Sequence, residues 1–87
     1  MDVKVAIETR RAYRSLLPVD ITLELLEKLA TAASLAPSCF NKQPWRFVAA
    51  HDKDILAQLH QALSKGNEWA QDASLIIAVC SQKELDC

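Results

Sequence analysis

The sequence is short of glycine and cysteine, and both shortages exclude whole classes of site. Gly66 is the only glycine among 87 residues, so Walker and Rossmann phosphate loops are excluded because each needs several glycines. The three cysteines form no CxxC pair, and their odd number does not suit the dense, even cysteine sets of small secreted domains. A reducing cytoplasm fits better. His51 and His60 share no ligand-like spacing with each other or with a cysteine, so no metal site is predicted.

Long apolar runs and an excess of positive charge are also missing. The longest apolar run, residues 75–80, is far shorter than the roughly 20 residues that a membrane-spanning helix needs. Met1 begins a charged, amphipathic segment with no apolar signal region after it. A net charge of -1 argues against nucleic acid as the main partner. We therefore expect a cytoplasmic protein without a membrane or nucleic-acid partner, and its length allows one small domain at most.

Hydrophobic spacing predicts helices and strands in alternation. Apolar residues three and four apart predict helices over residues 2–11, 22–36 and 53–64, and Thr22 suits the N-cap of the second helix. Pro37 ends that helix, because the residue before a proline is pushed out of the helical conformation. Residues 45–50 alternate as in a strand, and residues 74–80 form the continuous apolar run of a strand covered on both faces. A further helix is expected to begin within residues 82–86.

Two strands are too few for an independent sheet, since three or more with a covered face are usually needed. The apolar run over residues 74–80 needs neighbours on both edges, and the sequence offers only residues 45–50. We therefore expect that a complementary segment is missing, either from the rest of a longer chain or from a partner chain. An unpaired strand edge would be the assembly surface, and it is also an aggregation risk.

The first cluster of candidate binding residues is basic and spans TRRAYR, residues 9–14. Arg10 and Arg14 are four apart, so they share one face if the helix persists that far. Guanidiniums that converge on one spot suit a phosphate, whose oxygens accept bidentate hydrogen bonds. Basic residues at a helix C-terminus are also common as caps and solvated charges, and the cluster by itself favours that plainer interpretation.

The second cluster is the loop PSCFNKQP, residues 37–44. Ser38, Asn41 and Gln43 place a hydroxyl and two amides on a short segment between two prolines. Each amide offers both donors and acceptors, as the edge of a heteroaromatic ring with alternating N, N–H and C=O groups requires. An ordinary helix-to-strand connection rich in turn formers has a similar composition, so the loop in isolation leaves both interpretations open.

Together the two clusters resemble the motifs of the nitroreductase family. The opening AIETRRAYRSL resembles the family's start, an AI-x-x-RRS-x-R pattern. The stretch LLEKLATAASLAPSCFNKQPWRFV resembles its second signature, a helix ending in AAxxAPSxxNxQPWxF, and an amphipathic helix bridges the two as in the family. The likeness continues through GNEWAQDASLIIAVCS and covers essentially the whole sequence.

This resemblance implies FMN-binding residues and no catalytic residue within the chain itself. Contacts to the FMN phosphate and ribityl region would come from Arg10, Arg11 and Arg14, and from the backbone of Ala12, where the family usually has serine. The implied flavin contacts are the side chains of Ser38, Asn41, Gln43 and Asn67 and the backbone of Pro37 and Cys39. NAD(P)H would be the reductant.

The resemblance also implies an α+β fold, the N-terminal portion of a nitroreductase-like three-layer α-β-α sandwich. Residues 1–87 would be the N-terminal part of a single domain whose C-terminal half is absent. The implied activity is FMN-dependent reduction of small-molecule electron acceptors, such as nitroaromatics or quinones, in a homodimer or with the complementary half. Two alternatives stay open: a non-catalytic truncated fragment, or one half of a two-chain flavoprotein that binds flavin only with its partner.

Overall fold

Three helices and two strands alternate along residues 2–86, which are the residues that the computed structural model describes. Their order is α1 (Val3–Thr9), α2 (Leu23–Ser34), β1 (Trp45–Ala50), α3 (Lys53–Gln61) and β2 (Ile76–Ser81). Short 3₁₀ turns lie at Cys39–Asn41, Glu68–Asp72 and Lys83–Leu85. The order confirms the predicted sequence of elements up to β2.

Each helix begins at a side chain that caps its first turn. Thr22 Oγ1 accepts a hydrogen bond from the Leu25 backbone N–H at 3.1 Å, as predicted. Asp52 Oδ1 accepts from the Asp54 N–H at 2.9 Å, and Asp2 caps α1 in the same way. Such caps satisfy amide groups that have no partner within the helix, and each contributes about 1 kcal/mol.

The predicted helix ends are too late for all three helices. α2 ends at Ser34 instead of residue 36, because the N–H groups of the next two residues bond carbonyls three residues back. α1 ends at Thr9 instead of residue 11, because the Glu8 carbonyl accepts from Arg11 Nη1 at 3.1 Å instead of from a further helical turn. α3 ends at Gln61 instead of residue 64, since the Ala62 N–H bonds the Leu59 carbonyl at 3.0 Å, which is a tighter 3₁₀ spacing. The ends at Thr9 and Gln61 carry no strong stop signal in the sequence.

The helix predicted to begin within residues 82–86 is a single 3₁₀ turn, Lys83–Leu85. The Leu85 N–H bonds the Gln82 carbonyl at 3.0 Å, three residues back. Ser81 Oγ donates to Asp86 Oδ2 at 2.9 Å and closes the turn from outside. This side-chain contact holds the chain in a compact turn at the end of β2.

The two strands pair antiparallel, with Trp45 opposite Ser81 and Ala50 opposite Ile76. β1 has the predicted bounds, whereas β2 starts two residues later than predicted and ends one residue later. The shift follows from the register, because β1 ends at Ala50 and leaves no partner for the two residues that precede Ile76. One of these, Ser74, instead accepts from the Val19 N–H at 2.9 Å through its hydroxyl.

Helix α2 lies beside one face of this sheet. The apolar side chains that line the groove between them are Leu26, Leu29, Ala30, Ala33, Phe47, Ala49, Ile77 and Val79, and the groove measures about 430 Å³. Helix α3 packs instead against the turn Glu68–Asp72, which leads into β2. This arrangement is a partial α+β fold with one helix layer on the sheet.

The described residues enclose almost no core. Only Ala50 and Ala70 are buried among them, and Val79 is 71% exposed in the middle of the longest apolar run. The chain exposes 7516 Å², whereas a compact protein of this mass exposes about 5,000 Å². Its radius of gyration is 15.2 Å, against about 12 Å for a compact domain of this length. The prediction that this strand is covered on both faces is therefore wrong for this chain by itself.

Candidate functional site

The loop of residues 37–43, here called the amide loop, is closed by its own hydrogen bonds. Ser38 Oγ accepts from the Gln43 backbone N–H at 2.9 Å. The Ser38 carbonyl accepts from the Asn41 N–H at 3.0 Å, and the Cys39 carbonyl from the Lys42 N–H at 3.2 Å. The predicted contacts Ser38 and Gln43 are thus brought together directly, and Pro37 enters the loop just before them.

Three residues of the amide loop have a left-handed backbone. The φ angles are 52° at Phe40, 54° at Asn41 and 53° at Gln43. Asparagine tolerates this conformation, whereas the other two residues adopt it at a cost. Such conformations persist only where the surrounding contacts hold them, and they concentrate at binding sites.

The side-chain amides of this loop have no hydrogen-bond partner within residues 2–86. Asn41 and Gln43 are exposed, and the hydrogen bonds found among residues 2–86 do not include their side-chain amides. Phe40 is 88% exposed, with Lys42 Nζ 5.9 Å from the centre of its ring. The loop therefore presents polar edges and an aromatic ring from a fixed backbone.

A contact that the sequence analysis missed fixes the end of this loop. Arg46 Nη1 donates to the carbonyls of Gln43 at 3.0 Å and Trp45 at 2.8 Å. Its Nη2 donates to Gln82 Oε1 at 2.6 Å, and the Gln82 N–H donates to the Pro44 carbonyl at 2.8 Å. Arg46 occupies an open position of the QPWxF motif and its partner lies 36 residues away, so no signal in the sequence pointed to the pair.

The basic cluster predicted at residues 9–14 has no regular structure after Thr9, and residues 10–14 are here called the arginine segment. Arg10 follows the last residue of α1 with ψ 139°, an extended conformation. The helix therefore does not persist to Arg14, and the four-residue spacing does not place the two guanidiniums on one helical face. This corrects the geometric part of the prediction and leaves the phosphate role of the segment as a prediction.

Within the arginine segment the side chains differ in what they contact. Arg11 Nη1 donates to the carbonyls of Glu8 at 3.1 Å and Arg10 at 2.8 Å, so this guanidinium caps the end of α1. The guanidiniums of Arg10 and Arg14 make no hydrogen bond or ion pair within residues 2–86. Ala12 lies between them in the same irregular stretch.

Asn67 lies in the turn between α3 and Glu68–Asp72, apart from both clusters along the chain. Its Nδ2 donates to the carbonyl and the hydroxyl of Ser64, each at 3.0 Å. Only Oδ1 is then left to accept from a ligand. The next residue, Glu68, has its carboxyl pKa lowered from 4.5, because its own N–H and that of Gly66 hydrogen-bond the carboxylate and His60 adds a favourable charge.

The described chain does not bring the three predicted regions into one enclosed pocket. No hydrogen bond joins the arginine segment to Ser38, Asn41 or Gln43 within residues 2–86. A cavity of about 870 Å³ is lined by other residues, among them His51, Lys53 and His60, with none from the predicted set. The predicted regions are therefore not joined to one another by hydrogen bonds within residues 2–86.

Residues 2–86 lack two other kinds of functional feature. No helix in that range combines the length and apolar character needed to cross a membrane. No three histidine, cysteine, aspartate or glutamate side chains in the same range come together as metal ligands.

Comparison with known proteins identifies the family. The nitroreductase family model matches residues 7–86. A protein of Archaeoglobus fulgidus, described as "Putative NADH dehydrogenase/NAD(P)H nitroreductase", is 38% identical over 79 residues, covering 91% of this chain and 45% of that protein. An iodotyrosine deiodinase of Haliscomenobacter hydrossis is 38% identical over 73 residues, covering 72% of this chain and 33% of its own length.

A solved structure supports the same assignment. The FMN-dependent nitroreductase from Clostridium difficile R20291 superposes with a TM-score of 0.77 at 35% identity, over 88% of this chain and 45% of that one. The chain thus spans less than half the length of these relatives, and its α+β fold is the corresponding part of theirs. With the APSCFNKQPWRF loop, the TRRAYR motif, the family model and the matched fold in agreement, the chain belongs to the nitroreductase family.

Proposed function

We propose that this chain supplies the phosphate- and flavin-contacting part of an FMN-dependent NAD(P)H oxidoreductase. The acceptor would be a small molecule of the nitroaromatic or quinone class. The proposal rests on family membership and, above all, on the amide loop, whose constrained backbone carries unpartnered amides. In this reading residues 1–87 are the N-terminal part of one domain.

The side chains present suit FMN by their chemistry. The exposed amides of Asn41 and Gln43 can donate to and accept from the carbonyl, N and N–H groups along the pyrimidine edge of a flavin. The guanidiniums of Arg10 and Arg14 have no partner in the described chain, and they suit a phosphate dianion. Asn67 Oδ1 can accept one further hydrogen bond, because Nδ2 is occupied by Ser64.

The chain's own part is to bind and orient the cofactor. FMN held by these residues would supply the redox chemistry, namely hydride acceptance from NAD(P)H and electron transfer to the acceptor. The amide loop would fix the ring edge, and the arginine segment would neutralise the phosphate. No residue named here has to act as an acid, a base or a nucleophile.

The large exposed area favours a second candidate, that the chain binds flavin only with a complementary polypeptide. Its surface exceeds that of a compact protein of equal mass by about 2,500 Å², which is more than the roughly 800 Å² per partner of a standard interface. A polypeptide as large as the second half of the relatives, or a homodimer of completed domains, would cover the sheet and enclose the site. A non-catalytic fragment is the remaining alternative.

FMN and riboflavin titrations of the purified chain test the proposal, with flavin fluorescence as the signal and light scattering for mass. The same titrations would be repeated after adding the second half of a relative such as the Archaeoglobus protein. We expect FMN to bind more tightly than riboflavin in the complemented mixture, because only FMN carries the phosphate. Gln43→Leu should weaken both ligands, whereas the matched surface change Gln58→Leu should leave both unchanged.

The outcomes separate the candidates. Binding by the chain alone, near one FMN per chain, would support a site that these residues suffice to build. Binding only after complementation would favour the two-part flavoprotein. If neither preparation discriminates FMN from riboflavin, the phosphate assignment of the arginine segment is wrong, and if neither binds FMN the non-catalytic fragment is left.

A further inference from the structure

We infer that Arg46 and Gln82 are a positioning pair that holds the amide loop in its binding conformation. The inference rests on the proposed function for the identity of the ligand, but its geometric content stands on contacts within the chain. The pair joins the end of the loop to the chain just after β2. It is absent from the set of residues that the family resemblance assigned to the flavin.

The guanidinium of Arg46 reaches three acceptors at once. Nη1 bonds the carbonyls of Gln43 and Trp45, and Nη2 bonds Gln82 Oε1 at 2.6 Å. Because the guanidinium is planar and charged, these bonds fix the relative orientation of the two carbonyls. A lysine has a single nitrogen at the end of a flexible chain and cannot reproduce that fork.

Gln82 completes the pair from the opposite strand. Its backbone N–H donates to the Pro44 carbonyl at 2.8 Å, one step beyond the last paired residues, Trp45 and Ser81. The loop residue Gln43 is therefore held from two directions, through its N–H by Ser38 Oγ and through its carbonyl by Arg46. Because the peptide groups on both sides of Gln43 are held, its left-handed backbone is maintained against its cost.

This arrangement separates positioning from general stability. Arg46 and Gln82 are exposed, so their replacement leaves no cavity and buries no unpaired charge. The sheet register is carried by the six paired residues of each strand, and Trp45 stacks on Phe47 with ring centres 6.2 Å apart. Loss of the pair should therefore loosen the amide loop while β1 and β2 remain paired.

The test is amide hydrogen exchange of the 87-residue chain followed by NMR, without any flavin. Arg46→Met and Gln82→Leu remove the contacts and keep side-chain volume, whereas Arg46→Lys keeps the charge. Lys28→Met is a control that removes a cation from helix α2. In both loosening variants we expect the Gln43 and Gln82 amides to exchange at least fivefold faster. The amides of Val48 and Ala78, which face each other across the sheet in a hydrogen-bonded pair, should keep their rates, as should every amide site in the control outside α2.

A second readout is FMN affinity in the preparation that binds FMN. Arg46→Met should weaken binding by about tenfold, comparable with the loss of a charge-assisted hydrogen bond. If Arg46→Lys restored affinity fully, Arg46 would be a charge contact to the ligand and the positioning role would be wrong. Unchanged exchange at Gln43, or equal acceleration throughout the sheet, would overturn the inference as well. A lack of FMN binding in every preparation would instead remove the proposed function, since the exchange result does not depend on FMN.

Discussion

The amide loop and the arginine segment are the two main parts of the proposed FMN site, and the chain holds them very differently. Ser38, Arg46 and Gln82 fix the amide loop at both ends through hydrogen bonds of 2.6–3.0 Å. Among residues 2–86, the side-chain hydrogen bonds of the arginine segment are those by which Arg11 caps the end of its own helix. One part is ordered by this chain and the other has no such internal support.

The difference shows which half of the site depends on something outside these residues. A loop that pays the cost of three left-handed residues before any ligand arrives is pre-organised, and pre-organisation raises affinity by lowering the cost of ordering on binding. The guanidiniums of Arg10 and Arg14 have no partner within residues 2–86, so a ligand or a complementary polypeptide has to hold them. We therefore expect substitutions in the amide loop to change the protein's stability or amide exchange with or without flavin. Substitutions of Arg10 and Arg14 should change only the affinity for flavin.

The largest expected effect is on FMN binding by Arg14→Ala. This guanidinium has no partner in the described chain, so its removal costs only what it gives to the ligand. Loss of a charge-assisted phosphate contact is worth about 1.5–3 kcal/mol, or roughly ten- to hundredfold in the FMN dissociation constant. The measurement is a fluorescence titration of the FMN-binding preparation.

Arg11→Ala is the matched control for that experiment. It removes an equal charge from the same segment, but its Nη1 is already bonded to two carbonyls. We expect a smaller loss of FMN affinity than for Arg14→Ala, together with lower helicity of α1. Equal losses for both variants would mean that the segment acts only through its summed charge, and the distinction drawn here between its arginines would fail.

The next effect in size is on stability, and it should be confined to the amide loop. Asn41→Val places a β-branched residue at φ 54°, where it loses about 1–2 kcal/mol relative to asparagine. The control is Tyr13→Val in the arginine segment, which introduces the same β-branched side chain where the backbone is not left-handed. Urea unfolding should show the first change and little of the second. A loss at Tyr13 as large as at Asn41 would indicate that the segment is as constrained as the loop.

The sequence predicts the loop better than it predicts the segment, and the reason is the range of the forces involved. The helix cap at Thr22, the strand Trp45–Ala50 and the turn residues of the loop are local features, and the structure has them as predicted. The helix end at Thr9 depends instead on where the Arg11 side chain goes. Spacing alone predicted a helix to residue 11, and the Arg11 guanidinium instead bonds the carbonyls at its end.

Contacts distant in sequence lie beyond this kind of reasoning. Nothing near Arg46 indicates Gln82, because the pair exists only once β1 and β2 adopt their register. The coverage of β2 was predicted from its apolar composition, but Val79 is 71% exposed here. Composition describes the environment for which a strand is suited, and in this chain that environment is not supplied. The contacts assigned to FMN stay predictions for the same reason.

A smaller effect is expected from the hydroxyl that closes the amide loop. Ser38→Ala removes the acceptor of the Gln43 N–H, a partly exposed bond worth about 0.5–1.5 kcal/mol. Ser15→Ala, just after the arginine segment, removes a hydroxyl that makes no hydrogen bond within residues 2–86 and should change nothing. Exchange of the Gln43 amide is the sensitive measurement. If it is as slow in Ser38→Ala as in the unchanged chain, the Ser38 hydroxyl does not hold the loop.

The smallest effect concerns the turn at Asn67, which belongs with the locally held part of the site. Glu68 accepts from the Gly66 N–H at 3.3 Å, and its pKa is below 4.5 because backbone N–H groups favour the carboxylate. A pKa depressed on folding stabilises the fold above the ordinary value, and the contribution is lost as the pH falls through the folded value. The turn should therefore loosen only below pH 4.5, with faster exchange at Gly66. Glu68→Gln should abolish that pH dependence. The amide loop, whose hydrogen bonds in the described chain involve no carboxylate, should keep its exchange pattern over the same pH range. Parallel loosening of the turn and the loop would mean that the two are one cooperative unit.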